Sequence, residues 1–185
     1  KAHSGNNYLD GRSATIELAS KLLKFYESNE NDRGIQFNAV ELKGGENGVG
    51  VIPDYASATV GVRVLSRADI EHVKEIAART EKESYIPDTT TKIGFRMVCV
   101  PMERTEENVK LYEHVKAAGK LLDHELPEQT VGGSGDASYF SYQGVPSVDG
   151  LGPYMYKIHS KDESMRLSSM VEKTELFTVV LATVK

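Results

Sequence analysis

The sequence predicts an α/β protein of two modules: a split βαβ layer without its first strand, then one flank of a three-layer sheet. The first module rests on two amphipathic helices, over 12–26 and 68–84, that bracket two strands, and on the Gly-rich turn GGENGVG that joins those strands. The second rests on the stretch beyond PMERT, where helix and strand patterns alternate to the end of the chain.

The elements follow in order. After the Asp10-Gly11 turn, Ala14, Leu18, Leu22 and Phe25 fall on one helical stripe, widened by Ile16, Ala19 and Leu23. The polar loop SNENDRG gives way to a strand, IQFNAVEL. From Asp54 to Leu65 the chain alternates: Ala56, Ala58, Val60, Val62 and Val64 share one face and Tyr55, Ser57, Thr59 and Arg63 the other. That pattern suits a sheet covered on one side. The second helix turns Ile70, Val73, Ile76 and Ala77 inward and stops by Pro87-Asp88, ahead of a strand TTTKIGFRMVCV. Helix, strand, strand, helix, strand is the ferredoxin-like split βαβ order with its leading strand missing, and Lys1-Ala2-His3 reads as the stub of that strand. Such a strand lies inside its sheet, and without it neighbouring backbone groups go unpaired. The expectation is therefore a fragment of a longer polypeptide.

In the second module, Thr105 caps a helix running from Glu106 to about Asp123, with Val109, Tyr112, Val115 and Leu122 inward. A strand near Gln129-Thr130-Val131, the loop GGSGD, a helix ASYFSYQ stopped by Gly144 and a strand PSVDG come next. Ser169 and Glu172 start the last helix as a capping box, and Met170, Leu176, Val179, Val180 and Val184 form its buried face. The two modules meet at PMERT.

The 185 residues carry a formal net charge of -5, and the basic side chains are scattered. This argues against a nucleic-acid partner. No apolar run approaches the roughly 20 residues of a bilayer crossing, which argues against a membrane partner. A single cysteine, Cys99, excludes an internal disulfide. The chain starts with Lys1 rather than Met, so its compartment stays open between cytoplasmic and exported.

Five histidines are present, and they are not equal. His72, His114 and His124 lie on helices or at their ends among charged neighbours, where solvation explains them. His3 lies beside a Ser-Gly-Asn turn, where a surface loop is the plain reading. His159, in YKIHSKDES, follows the break GLGP at the carboxyl edge of a strand, where α/β proteins gather ligands. A zinc site needs three or four donors, and the chain nominates no others; Asp162 and Glu163 read as a solvated acidic turn. The loop TVGGSGDAS, ahead of a helix, is able in principle to hold a phosphate on its N–H groups, but it lacks the Lys-Ser/Thr ending of a P-loop.

Taken together, KAHSGN with DGRSA, VIPDYASA with GVRV, PMERT, TVGGSGDAS and GVPSVDGLGP with KIHSKDE resemble, in this order, the di-zinc metallopeptidase family of carboxypeptidases, aminoacylases and desuccinylases. The likeness is greatest to its folate-cleaving glutamate carboxypeptidase (carboxypeptidase G) branch. It implies a three-layer α/β zinc-peptidase catalytic domain interrupted by a lid, or dimerisation, domain. Residues 1–103 then correspond to the lid and 104–185 to the C-terminal portion of the catalytic domain. The catalytic half that carries most metal ligands and the general base is missing, so the fragment alone should not catalyse.

Carried over residue by residue, His159 matches the last zinc ligand. His3 matches the lid histidine that reaches the active site of the other subunit and stabilises the oxyanion. Gly133, Ser134 and Asp136 match the turn lining the substrate pocket, although Gly135 stands where a hydroxyl residue is usual. Arg63 matches the arginine that ends the long lid strand. The implied activity of the homodimer is hydrolysis of an amide in a small peptide or N-acyl amino acid by a water shared between two zinc ions per active site. Two departures bear on the substrate. Gly50 and Cys99 replace the Asn and Arg with which the glutamate-cleaving branch grips a carboxylate; Arg96 is three positions from Cys99, and Asn47 serves only if its turn bulges. Other N-acyl amino acids and dipeptides stay open. A non-catalytic dimerisation module is the competing reading.

Overall fold

A hydrogen-bonded strand needs a neighbour, and this requirement decides which predicted strands form. The computed structural model describes residues 1–45 and 48–184, so Asn47 lies outside the described residues. The chain divides into two compact units, Lys1–Val98 and Cys99–Lys185.

In the first unit, helix α1 (Ala14–Glu27) is capped by Ser13, whose hydroxyl accepts the Ile16 N–H. Strand β1 (Gln36–Gly44) pairs antiparallel with β2 (Ala56–Arg63), from Gln36 opposite Arg63 to Gly44 opposite Ala56. The register shifts between Ala39 and Glu41, which leaves Val40 as an extra residue on β1. Helix α2 (Arg67–Lys82) starts at Ser66, which accepts the Asp69 N–H. Phe25, Ile35, Phe37, Val73 and Ile76 form the core, with the Phe25 and Phe37 rings stacked at 5.3 Å between centroids. Gly34 turns into β1 with φ +69°, and a Cβ there would also stand 2.5 Å from Leu65 Cδ1, so both conformation and space call for glycine.

Two expectations fail here. Residues 89–100 form no strand, because no segment lies alongside to complete a ladder among the described residues. The main stripe of α1 faces inward as expected, with Phe25 buried and Ala14, Leu18 and Leu22 half-buried, but the residues expected to widen it do not. Glu17 and Lys21 are buried, whereas Ile16, Ala19, Leu23 and Tyr26 are exposed. Lys21 Nζ donates to the carbonyls of Thr80 (2.6 Å) and Glu83, and Glu17 Oε2 accepts the N–H groups of Tyr85 (2.9 Å) and Ile86 (2.7 Å). Glu17 Oε1 has no partner at hydrogen-bond angles and is met by charge alone, 3.1 Å from Lys21 Nζ.

In the second unit, helix α3 (Glu106–Lys120) is capped by Thr105 as expected, and Val115 and Ala118 pack on Leu176 and Val180 of helix α5 (Ser168–Thr183). The buried Asn108 amide is the polar centre: it donates to Glu103 O (2.9 Å) and Ser141 Oγ (2.7 Å) and accepts from Ser147 N–H (2.8 Å). Ser141 lies on helix α4 (Ala137–Tyr142). The strands expected near 129–131 and over 146–150 do not form, again for want of partners among the described residues. A short hairpin appears instead, β3 (Met155–Tyr156) against β4 (Ser164–Met165).

The capping box is not made either. Ser169 is fully buried inside the first turn of α5, accepting the Tyr154 N–H at 3.0 Å, while Glu172 pairs with Arg166 at 2.6 Å. Met170 and Val184 are exposed rather than buried. No helix among the described residues is long and apolar enough to cross a membrane.

Burial pushes the Glu17 carboxyl up, but the Ile86 N–H, Lys21 and the Tyr85 N–H outweigh it and hold the group below its ordinary value of 4.5. For Asp69, burial is likewise outweighed by Ser66 and Arg33. Both titrate lower folded than unfolded, so their stabilisation is full above the unfolded value and is lost as pH falls through the folded one. Unfolding of the wild type should therefore become easier with acid from just below pH 4.5 downward, and Glu17→Gln should flatten that decline. Glu17→Ala, which strands the buried Lys21 ammonium, should cost about 3–5 kcal/mol in denaturant unfolding near neutral pH. A loss under 1 kcal/mol would contradict the burial of a working pair.

Candidate functional site

His3 sits in a turn anchored on both sides. Ser4 N–H reaches Gly50 O and Ile52 N–H reaches Ala2 O, each at 2.9 Å, and His3 pairs with Val51 as an isolated antiparallel bridge. Asn7 N–H closes the turn on His3 O at 3.2 Å. The ring is exposed, and its Nδ1 accepts the backbone N–H groups of Gly5 and Asn6, both at 3.1 Å. Arg63, the other candidate in this unit, ends β2 opposite Gln36 and is exposed on the face away from the core.

The remaining candidates lie in the second unit. Gly133, Ser134 and Asp136 are exposed in the loop that enters α4, where Ser138 Oγ closes on Gly135 O at 2.7 Å. Helix α4 has six residues, too short to supply the aligned dipoles of an anion site, so the phosphate-binding reading of this loop has no structural support. Gly135 lies close against the Asp149 carboxylate. A Cβ at 135 would stand 2.1 Å from Asp149 Oδ2, while Asp149 Oδ1 accepts the Gly150 N–H at 2.7 Å. Nothing in the local sequence pairs 135 with 149; the only signal was the departure at 135 itself.

His159 stands at the tip of the β3–β4 hairpin rather than at the edge of a core strand. It has φ +66° and Lys157 φ +51°, left-handed conformations that non-glycine residues adopt mainly where the surroundings enforce them, often at ligand sites. Here the enforcement is visible. Glu163 Oε2 accepts the His159 N–H at 2.7 Å, and Lys157 Nζ meets Asp162 at 3.2 Å. Asp162 and Glu163 are exposed, as expected of a solvated acidic turn, and they also bond to the loop. The other histidines are also more engaged than expected: His72 Nε2 meets Glu30 at 2.6 Å, and His114 Nε2 meets Thr183 Oγ1 at 3.1 Å. The Glu30 carboxyl is held below the usual range by His72 first and by Arg33, against a smaller upward push from burial.

Among the described residues no three His, Cys, Asp or Glu side chains gather as a metal site. His159 offers one imidazole and the nearest carboxylates hold the loop, so this donor set falls short of the three or four ligands zinc requires.

The chain belongs to peptidase family M20/M25/M40, whose profile matches residues 15–183. It is similar to the uncharacterized protein YqjE of Bacillus subtilis strain 168, 24% identical over 181 residues, covering 97% of this chain and 48% of that protein. Among solved structures, it is similar to aminopeptidase PepT from Bacillus cereus ATCC 10987 (TM-score 0.67, 19% identity) and to a tripeptidase from Staphylococcus aureus subsp. aureus Mu50 (TM-score 0.68, 20% identity). Each match covers 97% of this chain and 47% of the other, so the chain spans about half the length of these relatives. At such identities the structural likeness is one of fold: mixed α/β with small sheets.

Gly135→Ala should force Asp149 to rotate and give up its bond to Gly150, costing about 1 kcal/mol in denaturant unfolding. In an Asp149→Ala background the same change should cost little. Additive effects of the two substitutions would show that the contact carries no energy.

Proposed function

We propose that the chain is part of a zinc-dependent metallopeptidase that hydrolyses an amide bond in a small peptide or an N-acyl amino acid. The observation that carries this reading is the match to a peptidase family along 15–183, within which the hairpin presents His159 exposed and braced. Residues 1–103 then act as the lid and dimerisation domain and 104–185 as the close of the catalytic domain. His159 is one zinc ligand. Gly133, Ser134 and Asp136 line the substrate pocket, Arg63 meets substrate from the end of β2, and His3 donates to the oxyanion in the active site of a second copy. The other ligands of a two-zinc centre lie outside these 185 residues, and the chain alone does not turn over.

Glutamate carboxypeptidase-like specificity is one substrate class under this reading. Gly50 and Cys99, in place of a carboxylate grip, and the names of the aminopeptidase and tripeptidase relatives make short peptides with a free N-terminus the other. In the full-length protein, His159→Ala should lower bound zinc per subunit and abolish hydrolysis of both classes. His3→Ala should keep the zinc and lower kcat by roughly 10²-fold. Full zinc content in His159→Ala would remove it from the metal centre.

A second reading, a non-catalytic dimerisation module, is favoured by α1, whose outward face exposes Ile16, Ala19, Leu23 and Tyr26 at helical spacing. The two readings share the homodimer and differ in metal and turnover. Leu23→Glu should convert a dimer to monomer in sedimentation velocity, and a dimer that persists would take this face out of the interface.

A further inference from the structure

We propose that the turn Ser4–Asn7 fixes His3 as a one-sided hydrogen-bond donor. Nδ1 is consumed by two main-chain amides, Nε2 carries the ring proton, and the group it serves is an acceptor such as a carbonyl oxygen, an oxyanion or a carboxylate, not a metal ion. This deepens the proposed function and rests on it only for the identity of that acceptor.

A neutral imidazole has one N–H and one lone pair, and the hydrogen bonds it makes decide which nitrogen holds which. The Gly5 and Asn6 N–H groups both aim at Nδ1, at 3.1 Å. A backbone N–H cannot reverse its role, as a hydroxyl or a carboxamide does, so a proton on Nδ1 would face two donors and lose both bonds. The lone pair therefore stays on Nδ1 and the proton on Nε2. The turn that supplies these amides is itself held by the backbone bonds Asn7 N–H to His3 O and Ser4 N–H to Gly50 O, so the arrangement does not depend on a side chain in the turn swinging into place.

Among the described residues no hydrogen-bond partner meets Nε2, and the ring is exposed. Its donor is thus presented outward. The same tautomer argues against a metal role: coordination needs a ring lone pair, and the one available is already shared by two amides. Gly5 is not needed for space, since a Cβ there would meet Cε1 at 3.5 Å and Nδ1 at 3.6 Å, ordinary contacts. Gly5→Ala keeps the amide and serves as the control, whereas Asn6→Pro removes one donor.

The test is a long-range ¹H–¹⁵N correlation on the uniformly ¹⁵N-labelled 185-residue chain, with the imidazoles neutral and His3 assigned by loss of its signals in His3→Gln. The expected spectrum has a pyridine-type Nδ1 and a pyrrole-type Nε2, unmoved by added Zn²⁺ and unchanged in Gly5→Ala. In Asn6→Pro the two nitrogen shifts should move toward each other. A protonated Nδ1, averaged nitrogen shifts in the wild type, or a His3 shift on adding Zn²⁺ would each overturn the proposal, and the wild-type spectrum decides even if Asn6→Pro fails to fold. An expected spectrum together with unchanged kcat for His3→Ala in the full-length protein would sink the oxyanion role while leaving the donor assignment standing.

Discussion

Two opposite charges on the inner face of α1 organise the first unit. Helix α2 ends with free carbonyls, and the residues after it present free N–H groups; in water these are solvated, but against a neighbouring helix they need partners. Lys21 takes the carbonyls of Thr80 and Glu83, and Glu17 takes the N–H groups of Tyr85 and Ile86, one turn apart on the same helix. The pair thus caps one helix from the side of another. Its charges offset each other 3.1 Å apart, which is what allows both to be almost fully buried. With α1 and α2 tied at this end, Phe25 is set against Phe37, and Val73 and Ile76 close the layer over β1 and β2.

The same pair shows where the sequence is readable and where it is not. Helix α2 was legible because Ile70, Val73 and Ile76 are apolar at helical spacing and all are buried. Helix α1 was legible as a helix and in its main inward stripe, but not in the charged residues that share that face: a pattern reading sends Glu17 and Lys21 to solvent, since it cannot see that each neutralises the other and meets backbone from residues far along the chain. Strand β2 was readable to its faces, since period-two alternation survives pairing with a single neighbour. Residues 89–100 have a strand's composition without a strand's partner, and strand formation is a relation between segments that no single segment encodes.

Around the candidate residues the limits are similar. The loop over 132–136 was visible by its glycines, but its support was not. Asn108 reaches Ser141 on α4 and Ser147 beyond it with one amide, so the helix following the loop is fixed from α3. A lone asparagine near a helix start carries no signal of that duty. The hairpin that bears His159 consists of two-residue strands, too short to display any period, and only the positive φ values and the bracing carboxylates mark its geometry. Ser169 misled for the opposite reason: a serine three residues before a glutamate fits a capping box, yet full burial turned its hydroxyl to the Tyr154 backbone.

The extra residue at Val40 has a consequence for the open edge of the sheet. Among the described residues strand β1 has β2 on one side only, and a flat open edge of nine residues would be a template for stacking chain upon chain. An interruption near the middle of that edge breaks the even spacing of its backbone groups and increases the local twist, so a second strand cannot run along it in register. Glu41 and Lys43, exposed beyond the interruption, add charge to the same rim. The irregularity thus makes this edge a poorer template for further pairing than an evenly spaced strand would be.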